Sequence, residues 1–344
     1  MMKERKDVLD LETKTVLVMG GAGFMGSWLV DELVERGHRV ISVDSLLGGY
    51  ERNVNKRCKF LRLDLRQKAD VMKLMHGVDI VFHLAAYAAE GQSFFSPIGI
   101  NDINVTPMNN LLVAAVNNNI ERFVFTSSMA VYGNQRPPFH EDMPRKPEDP
   151  YGVGKAYCEM MLEIFSKMYG FEYNIIRPHN VYGRRQNIAD AYRNVLAIWI
   201  NRIMRGKPPL IYGDGEQTRA FSYIEDVIPP LANAGFYAKC AGEIVNLGSD
   251  EAVTINSACD SVLSAMNSRL IPEHVEERPG EVKHAYCTIQ KSRQLLGYET
   301  RHTLTEGLKK IVDWAKELGQ QVPTYTIPLE VTKKIPRVWL EKLM

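Results

Sequence analysis

Three glycines, Gly20, Gly23 and Gly26, constrain this chain more than any other feature. They follow directly on residues 14–19, Lys-Thr-Val-Leu-Val-Met, a short β-branched apolar run suited to a buried parallel strand. Beyond them Trp28, Leu29, Leu33 and Val34 share one helical face, which Gly37 ends. Residues 39–43 then read as a second strand finishing at Asp44. A strand, a glycine turn, a helix and a strand within about 30 residues form a βαβ unit. Strand-like runs recur at 58–63, 79–84, 122–126 and 172–176, with amphipathic helices between them, notably 106–117 and 151–168. Such alternation predicts an α/β protein built on a doubly wound parallel sheet.

Past residue 180 the pattern loosens. Residues 184–192 are polar, 213–219 form a turn-rich loop, and 276–280 carry Pro and Gly. Helices fit 194–205, 224–238, 254–266 and 304–316. The division expected is a first lobe of residues 1–180 and a smaller α/β substrate-binding lobe of residues 181–344, some segments of which return to the first. The closing stretch, with Pro323, Pro328 and Pro336, reads as an arm packed on the surface. A chain of 344 residues has room for one large core or two joined lobes.

Charge narrows the function. With 42 basic and 41 acidic residues, a nucleic-acid surface built on bulk positive charge is not expected. No apolar run reaches the roughly 20 residues that a membrane span needs. Residues 1–14 are charged and lack the apolar stretch of a signal peptide. The five cysteines are scattered and form no C-x-x-C, which predicts reduced thiols, a cytoplasmic setting and no metal site.

The glycine turn also carries chemistry. A helix starting there directs the amides of Phe24 and Met25 at a diphosphate, and absent side chains permit close approach. Asp44 lies eighteen residues after the last glycine, where a carboxylate accepts both ribose hydroxyls and repels a 2′-phosphate. NAD is therefore favoured over NADP. Asp64 and Leu65, after the third strand, are placed to meet the adenine. Farther along, Tyr151 and Lys155 stand four residues apart on one helix face. There an ammonium can hold a phenol below its usual pKa of about 10, making it a base for an alcohol.

These features, together with His83-Leu-Ala-Ala86, Asn104, residues 126–133, Arg177-Pro-His-Asn-Val-Tyr-Gly183 and Gly213-Asp-Gly-Glu-Gln-Thr-Arg219, resemble the extended short-chain dehydrogenase/reductase family. The resemblance is to its nucleotide-sugar epimerase and dehydratase branch and spans residues 15–314. It implies a Rossmann-type lobe holding NAD and a second lobe holding a nucleoside-diphosphate sugar. By position, Tyr151 would be the base, Lys155 would bind the nicotinamide ribose and lower the tyrosine pKa, and Ser128 would hydrogen-bond the reacting hydroxyl. Ala85 and Ala86 would keep the cofactor's path narrow, and Asn104 would support the cofactor and helix geometry. Asn180 would contact the sugar diphosphate; Asn194, Arg219 and Arg278 would contact the nucleotide or pyrophosphate, a task suited to an arginine fork.

The chemistry shared by that branch is oxidation at C4 of a hexose. Its 4,6-dehydratases place an acid and a base after the Ser/Thr, and its 3,5-epimerases place a cysteine in that segment. Here Met129 and Ala130 stand in those places and cannot move protons. The expectation is a UDP-sugar 4-epimerase, the sugar being a hexose, N-acetylhexosamine or uronate. Open beside it stand a 4-dehydrogenase or 4-ketoreductase that releases the ketosugar, and a non-catalytic NAD sensor or scaffold. Two residues bear on the sugar. Glu90, in the loop after the fourth strand, is either a solvated carboxylate or a hydrogen-bond partner or acid/base for the sugar. Ala285, seven beyond Arg278, is expected to line the sugar pocket and leave room for an enlarged substituent. His83, His179 and Cys158 read as packing or loop-shaping residues. Met160, Met161, Ile164 and Phe165 suggest that helices 106–117 and 151–168 form a four-helix contact in a homodimer.

Overall fold

The computed structural model describes residues 12–344, so most of the charged leader considered above lies outside the described residues. Seven parallel strands form the central sheet. They are β1 (Thr15–Met19), β2 (Arg39–Asp44), β3 (Lys59–Arg62), β4 (Ile80–His83), β5 (Arg122–Thr126), β6 (Glu172–Pro178) and a seventh strand, Glu243–Leu247. Their spatial order is seventh, β6, β5, β4, β1, β2, β3. The order reverses between β1 and β4, so the connections that follow these two strands leave in opposite directions and open a crevice at the strands' carboxyl ends.

Burial on both faces explains the unbroken apolar strands. One face packs α1 (Phe24–Glu35) and α7 (Ile224–Asn233) around Val16, Val18, Leu29 and Leu231. The other packs α2 (Lys68–Leu74), α4 (Pro97–Asn117) and α5 (Pro150–Tyr169) around Leu17, Val81, Phe123 and Leu162. All six strand runs read from sequence are strands. The seventh comes from beyond residue 180, and α7 likewise returns to cover the first βαβ unit. The remaining segments include the strands Leu210–Tyr212 and Thr218–Ala220, α6 (Val195–Met204) and the helix Ile255–Met266, and Leu196, Trp199, Ile211 and Val262 join them to the core on the α1 and α7 face. Among the described residues no helix is long and apolar enough to cross a membrane, and no cluster of His, Cys, Asp and Glu could hold a metal. All five cysteines are free thiols.

Candidate active site

At the switch point a cavity of about 490 Å³ runs from the glycine turn to the Arg278 loop. Its first end is shaped by missing side chains. Gly20 sits at φ +80, and a Cβ there would lie 2.8 Å from the Ala85 amide nitrogen. A Cβ on Gly26 would lie 2.0 Å from the Gly20 carbonyl oxygen, so only glycine lets α1 start this close to β1. No side chain caps α1, which leaves its first amides free to face an anion. Asp44 ends β2, 8% exposed, and accepts from the amides of Ala22 (3.1 Å) and Leu46 (2.8 Å). Burial pushes its carboxyl up and those amides pull it back. Asp64 lines the wall but its carboxylate is occupied by Arg66 (2.6 Å), which holds it below the usual range. Phe24, Met25, Leu65, Ala85 and Ala86 also line this end. The Thr126 hydroxyl is buried there with no hydrogen-bond partner among the described residues. An anion-ready helix start, a ribose-facing carboxylate and an orphan hydroxyl fit a dinucleotide.

Asn104 has a different place. Its side chain clamps the Tyr87 peptide, accepting from the amide at 2.8 Å and donating to the carbonyl at 3.1 Å, and it does not reach the cavity wall. It fixes the turn after β4, so its effect on a cofactor is indirect.

At the middle of the cavity, α5 presents Tyr151, Lys155 and Glu159 on successive turns of one face. Asp149 caps the helix, accepting from the Gly152 amide at 2.8 Å, and Pro150 occupies its first turn. Lys155 donates to the Thr126 carbonyl at 2.7 Å and lies 5.8 Å from the Tyr151 ring centre. Burial pulls its ammonium down to about 8. The phenol of Tyr151 differs from the sequence expectation: its pKa is raised. Burial raises it most, the Glu90 carboxylate adds to this, and the Ser128 hydrogen bond and the Arg193 guanidinium oppose it. Lys155 donates to the Thr126 carbonyl and is not among the groups that shift this phenol here. Arg193, which sequence reading missed, stacks on the Tyr87 ring at 4.2 Å and bonds Asp190 at 2.6 Å. The deeper Glu159 carboxylate is fully buried and fixed by Arg177 at 2.6 and 2.8 Å and by Arg145 at 2.5 Å.

The second end is lined by charge drawn from distant segments. Glu90, on the short helix Glu90–Ser93, is exposed to the cavity, with the charged walls of the site crowded around it. Burial and the neighbouring Asp149 push its carboxyl up to about 7, against the pull of Arg219 and Arg278. Arg278 bonds Glu281 at 2.7 Å and stacks on Tyr212 at 4.7 Å. Arg219 reaches the Val282 carbonyl at 2.7 Å and Glu281 at 3.3 Å. Glu281 thus ties the two arginines together; its proximity to Arg278 in the sequence was the available signal. Asn180 and Asn194 both take left-handed backbone, φ 42 and 68, and both line the wall. Asparagine tolerates that conformation better than most residues, and such strain concentrates at working sites.

Ala285 does not line the cavity. It pairs with Arg219 as a strand residue and packs, 5% exposed, in a cluster with Met129, Val131 and Tyr132. The chain turns away from the cavity after Val282, so counting along the loop overshoots the wall. His83 is buried with no hydrogen-bond partner among the described residues and pulled to about 3 by desolvation and Lys155, a packed neutral ring. His179 bonds the Ser249 carbonyl at 2.6 Å and shapes its loop. Cys158 is buried on α5 and its thiol is pushed up to about 12 by desolvation.

Comparison with known proteins agrees with this geometry. The family model for the NAD dependent epimerase/dehydratase family matches residues 16–248. A UDP-glucose 4-epimerase of Mycolicibacterium smegmatis is 31% identical over 313 residues, which cover 88% of this chain and 99% of that one. The solved UDP-N-acetylglucosamine 4-epimerase of Methanobrevibacter ruminantium, in complex with UDP-N-acetylmuramic acid, superposes with a TM-score of 0.82 at 32% identity, over 89% of this chain and 99% of that one. The UDP-glucuronic acid 4-epimerase of Bacillus cereus, bound to UDP-glucuronic acid and NAD, gives a TM-score of 0.81 at 28% identity, over 88% and 99%.

Proposed function

The chain belongs to the NAD-dependent epimerase/dehydratase family, and from that premise we propose that it inverts the C4 hydroxyl of a UDP-hexose. One observation carries this reading. Ser128, Tyr151 and Lys155 meet at a single cavity, while Met129 and Ala130, where an elimination would need its acid and base, are turned into apolar clusters. The chain can therefore move the C4 proton and has no group at that segment to go further.

Residues Gly20–Gly26 and Asp44 would hold NAD, with Asp64 and Leu65 at its adenine and Lys155 at its nicotinamide ribose. Bound there, NAD supplies a hydride acceptor and then a hydride donor for C4. Every other duty falls to the chain. Ser128, near enough to Tyr151 to favour its phenolate, orients the sugar hydroxyl and passes its proton. Tyr151 takes that proton and later returns it; its raised pKa makes it a ready donor in the return step. Arg193 provides the positive field that favours the phenolate. Arg219, Arg278, Asn180 and Asn194 hold the diphosphate half while the 4-keto sugar turns, which presents its other face to the hydride.

The sugar end favours a neutral hexose over a uronate. Glu90 and Asp149 put two carboxyls beside Tyr151, and a sugar carboxylate would meet like charge there. The experiment is direct. The purified protein is denatured to release NAD, and UDP-glucose, UDP-N-acetylglucosamine and UDP-glucuronate are each followed for C4 epimers and for net reduced nicotinamide. Retained NAD with epimer and no net reduction is expected, fastest on a neutral sugar. Net reduction with ketosugar release would make it a dehydrogenase instead, and UDP-glucuronate as the best substrate would remove the charge argument.

The assembly proposed is a homodimer. Val153, Tyr157, Met160, Ile164 and Met168 form an exposed apolar stripe along α5, and Val113 on α4 extends it. Met161 and Phe165 point the other way and pack in the core. The same stripe on a second copy would complete four packed helices. Sedimentation equilibrium should give a dimer that Ile164→Lys converts to monomer; an unchanged mass in that variant would place the interface elsewhere.

A further inference from the structure

The segment after Trp314, where the motif resemblance ends, does more than cover the surface. Thr324 pairs with Ala189 (2.7 Å), and Gln92 and Ser96 donate to the carbonyls of Ile327 and Pro328, each at 2.8 Å. Glu330 accepts from the amides of Ile98 and Gly99 at the start of α4, each at 2.8 Å. This path fastens the arm along the short helix that bears Glu90. The arm then turns back to the cavity. Trp339 is 2% exposed and meets Phe95 and Tyr192 edge to face, with ring centres 5.7 and 5.0 Å apart. Its indole N–H donates to the Tyr212 hydroxyl at 2.9 Å, and the Tyr212 ring lies under the Arg278 guanidinium at 4.7 Å. A Cβ placed on Gly91 would touch both the Trp339 ring and the Arg278 fork at 3.5 Å, so these groups converge one residue from Glu90. Met344 lines the cavity beside Tyr212, its sulfur 3.7 Å from that hydroxyl.

We propose that residues 320–344 are a working wall of the nucleotide-sugar site, with Trp339 a positioning residue that aims Arg278 through Tyr212 and Met344 a direct lining of the ligand's UDP half. The inference rests on the UDP-sugar reading above. An arginine recognises a diphosphate through the direction of its planar fork, so a tilt of Tyr212 is felt as lost affinity for the diphosphate, with little consequence at C4. Glu281 holds one side of that fork and Tyr212 supports its face. Trp339 decides where Tyr212 stands.

The test uses Trp339→Phe, which keeps an aromatic ring but removes the N–H donor with part of the indole's volume, beside Tyr212→Phe, which removes only the hydroxyl that accepts from it. In NAD-loaded protein, the Kd for UDP and the KM for UDP-glucose should rise roughly fivefold, the worth of one net hydrogen bond. At saturation kcat and the NAD content should stay at wild-type levels, while the melting temperature falls modestly with the lost buried hydrogen bond and ring packing. In a Tyr212→Phe background the same substitution should add nothing, because its partner hydroxyl is gone. Met344→Ala should weaken UDP independently of both. Wild-type UDP affinity in Trp339→Phe, a fall in kcat at constant KM, or full additivity with Tyr212→Phe would overturn the proposal. A wild-type protein that binds no UDP would overturn the UDP-sugar reading, and this inference with it.

Discussion

Glu159 and Glu90 both stand close to α5, one on its buried side and one in the cavity wall, and they are treated in opposite ways. Glu159 has Arg177 on both oxygens and Arg145 beside it, and Arg177 donates to the Tyr132 hydroxyl (2.7 Å), which donates in turn to Asn246 (2.8 Å). Burial alone would push its carboxyl up, but that company holds it below the ordinary glutamate range. Glu90 faces Asp149 with two arginines that Glu281 already occupies, and its carboxyl is raised to about 7. The floor under the helix is neutralised internally and serves only to fix Tyr151 and Lys155. The wall above it keeps a carboxyl that Arg219 and Arg278 only partly offset, which is useful to a ligand.

The largest expected effect comes from the residue between them. Tyr151→Phe removes the proton carrier and should lower turnover by roughly 10²- to 10⁴-fold. NAD should still copurify and the fold should be unchanged, because the Glu159 floor does not depend on the phenol. Residual epimerisation close to wild type would transfer the base to Glu90 and dissolve the distinction between floor and wall.

Next comes the floor itself. Arg177→Met strands a buried carboxylate and should cost about 3–5 kcal/mol in a urea melt. Adding Glu159→Leu should return much of that loss, since an apolar pair needs no compensation. Because the Glu159 carboxyl titrates low in the fold, its contribution is present above the unfolded pKa and is lost as pH falls through the folded one. A single Arg177→Met variant as stable as wild type would mean that Arg145 alone balances Glu159.

These two regions also differ in how much the sequence disclosed. The glycine turn, Asp44 and Tyr151/Lys155 are local patterns, each set by one strand end or one helix face, so spacing alone located them. The sugar wall is assembled from residues 90, 149, 193, 219, 278 and 281 and from an arm ending its path at Met344, brought together only by the fold. Spacing misplaced Ala285 because the chain leaves the wall at Val282, and it gave no sign of Arg193, whose guanidinium also acts on Tyr151. The direction in which an ammonium points depends on which carbonyl is near, here that of Thr126, and no one-dimensional pattern contains that.

The smallest effect expected is also the one that separates charge from shape at the wall. Glu90→Gln keeps the size and one acceptor but cannot ionise. The wild-type carboxyl titrates near 7 in the fold, against about 4.3 for an unrestrained glutamate. Between those values the folded chain keeps a proton that the unfolded chain has released. Stability from this site is therefore whole at acid pH and falls as pH rises through 7. The variant escapes that loss, so its melting temperature should match wild type at pH 5 and exceed it at pH 8. Turnover should move the other way. If the ionised carboxylate accepts a sugar hydroxyl, kcat/KM for UDP-glucose rises with pH through 7 in wild type, and in Glu90→Gln it should be flat and lower by roughly 10- to 100-fold. Relative activity on UDP-glucuronate should improve as the like charge disappears. A variant that keeps the pH limb and gains no stability at pH 8 would assign that titration to Asp149 and leave Glu90 a bystander in the wall.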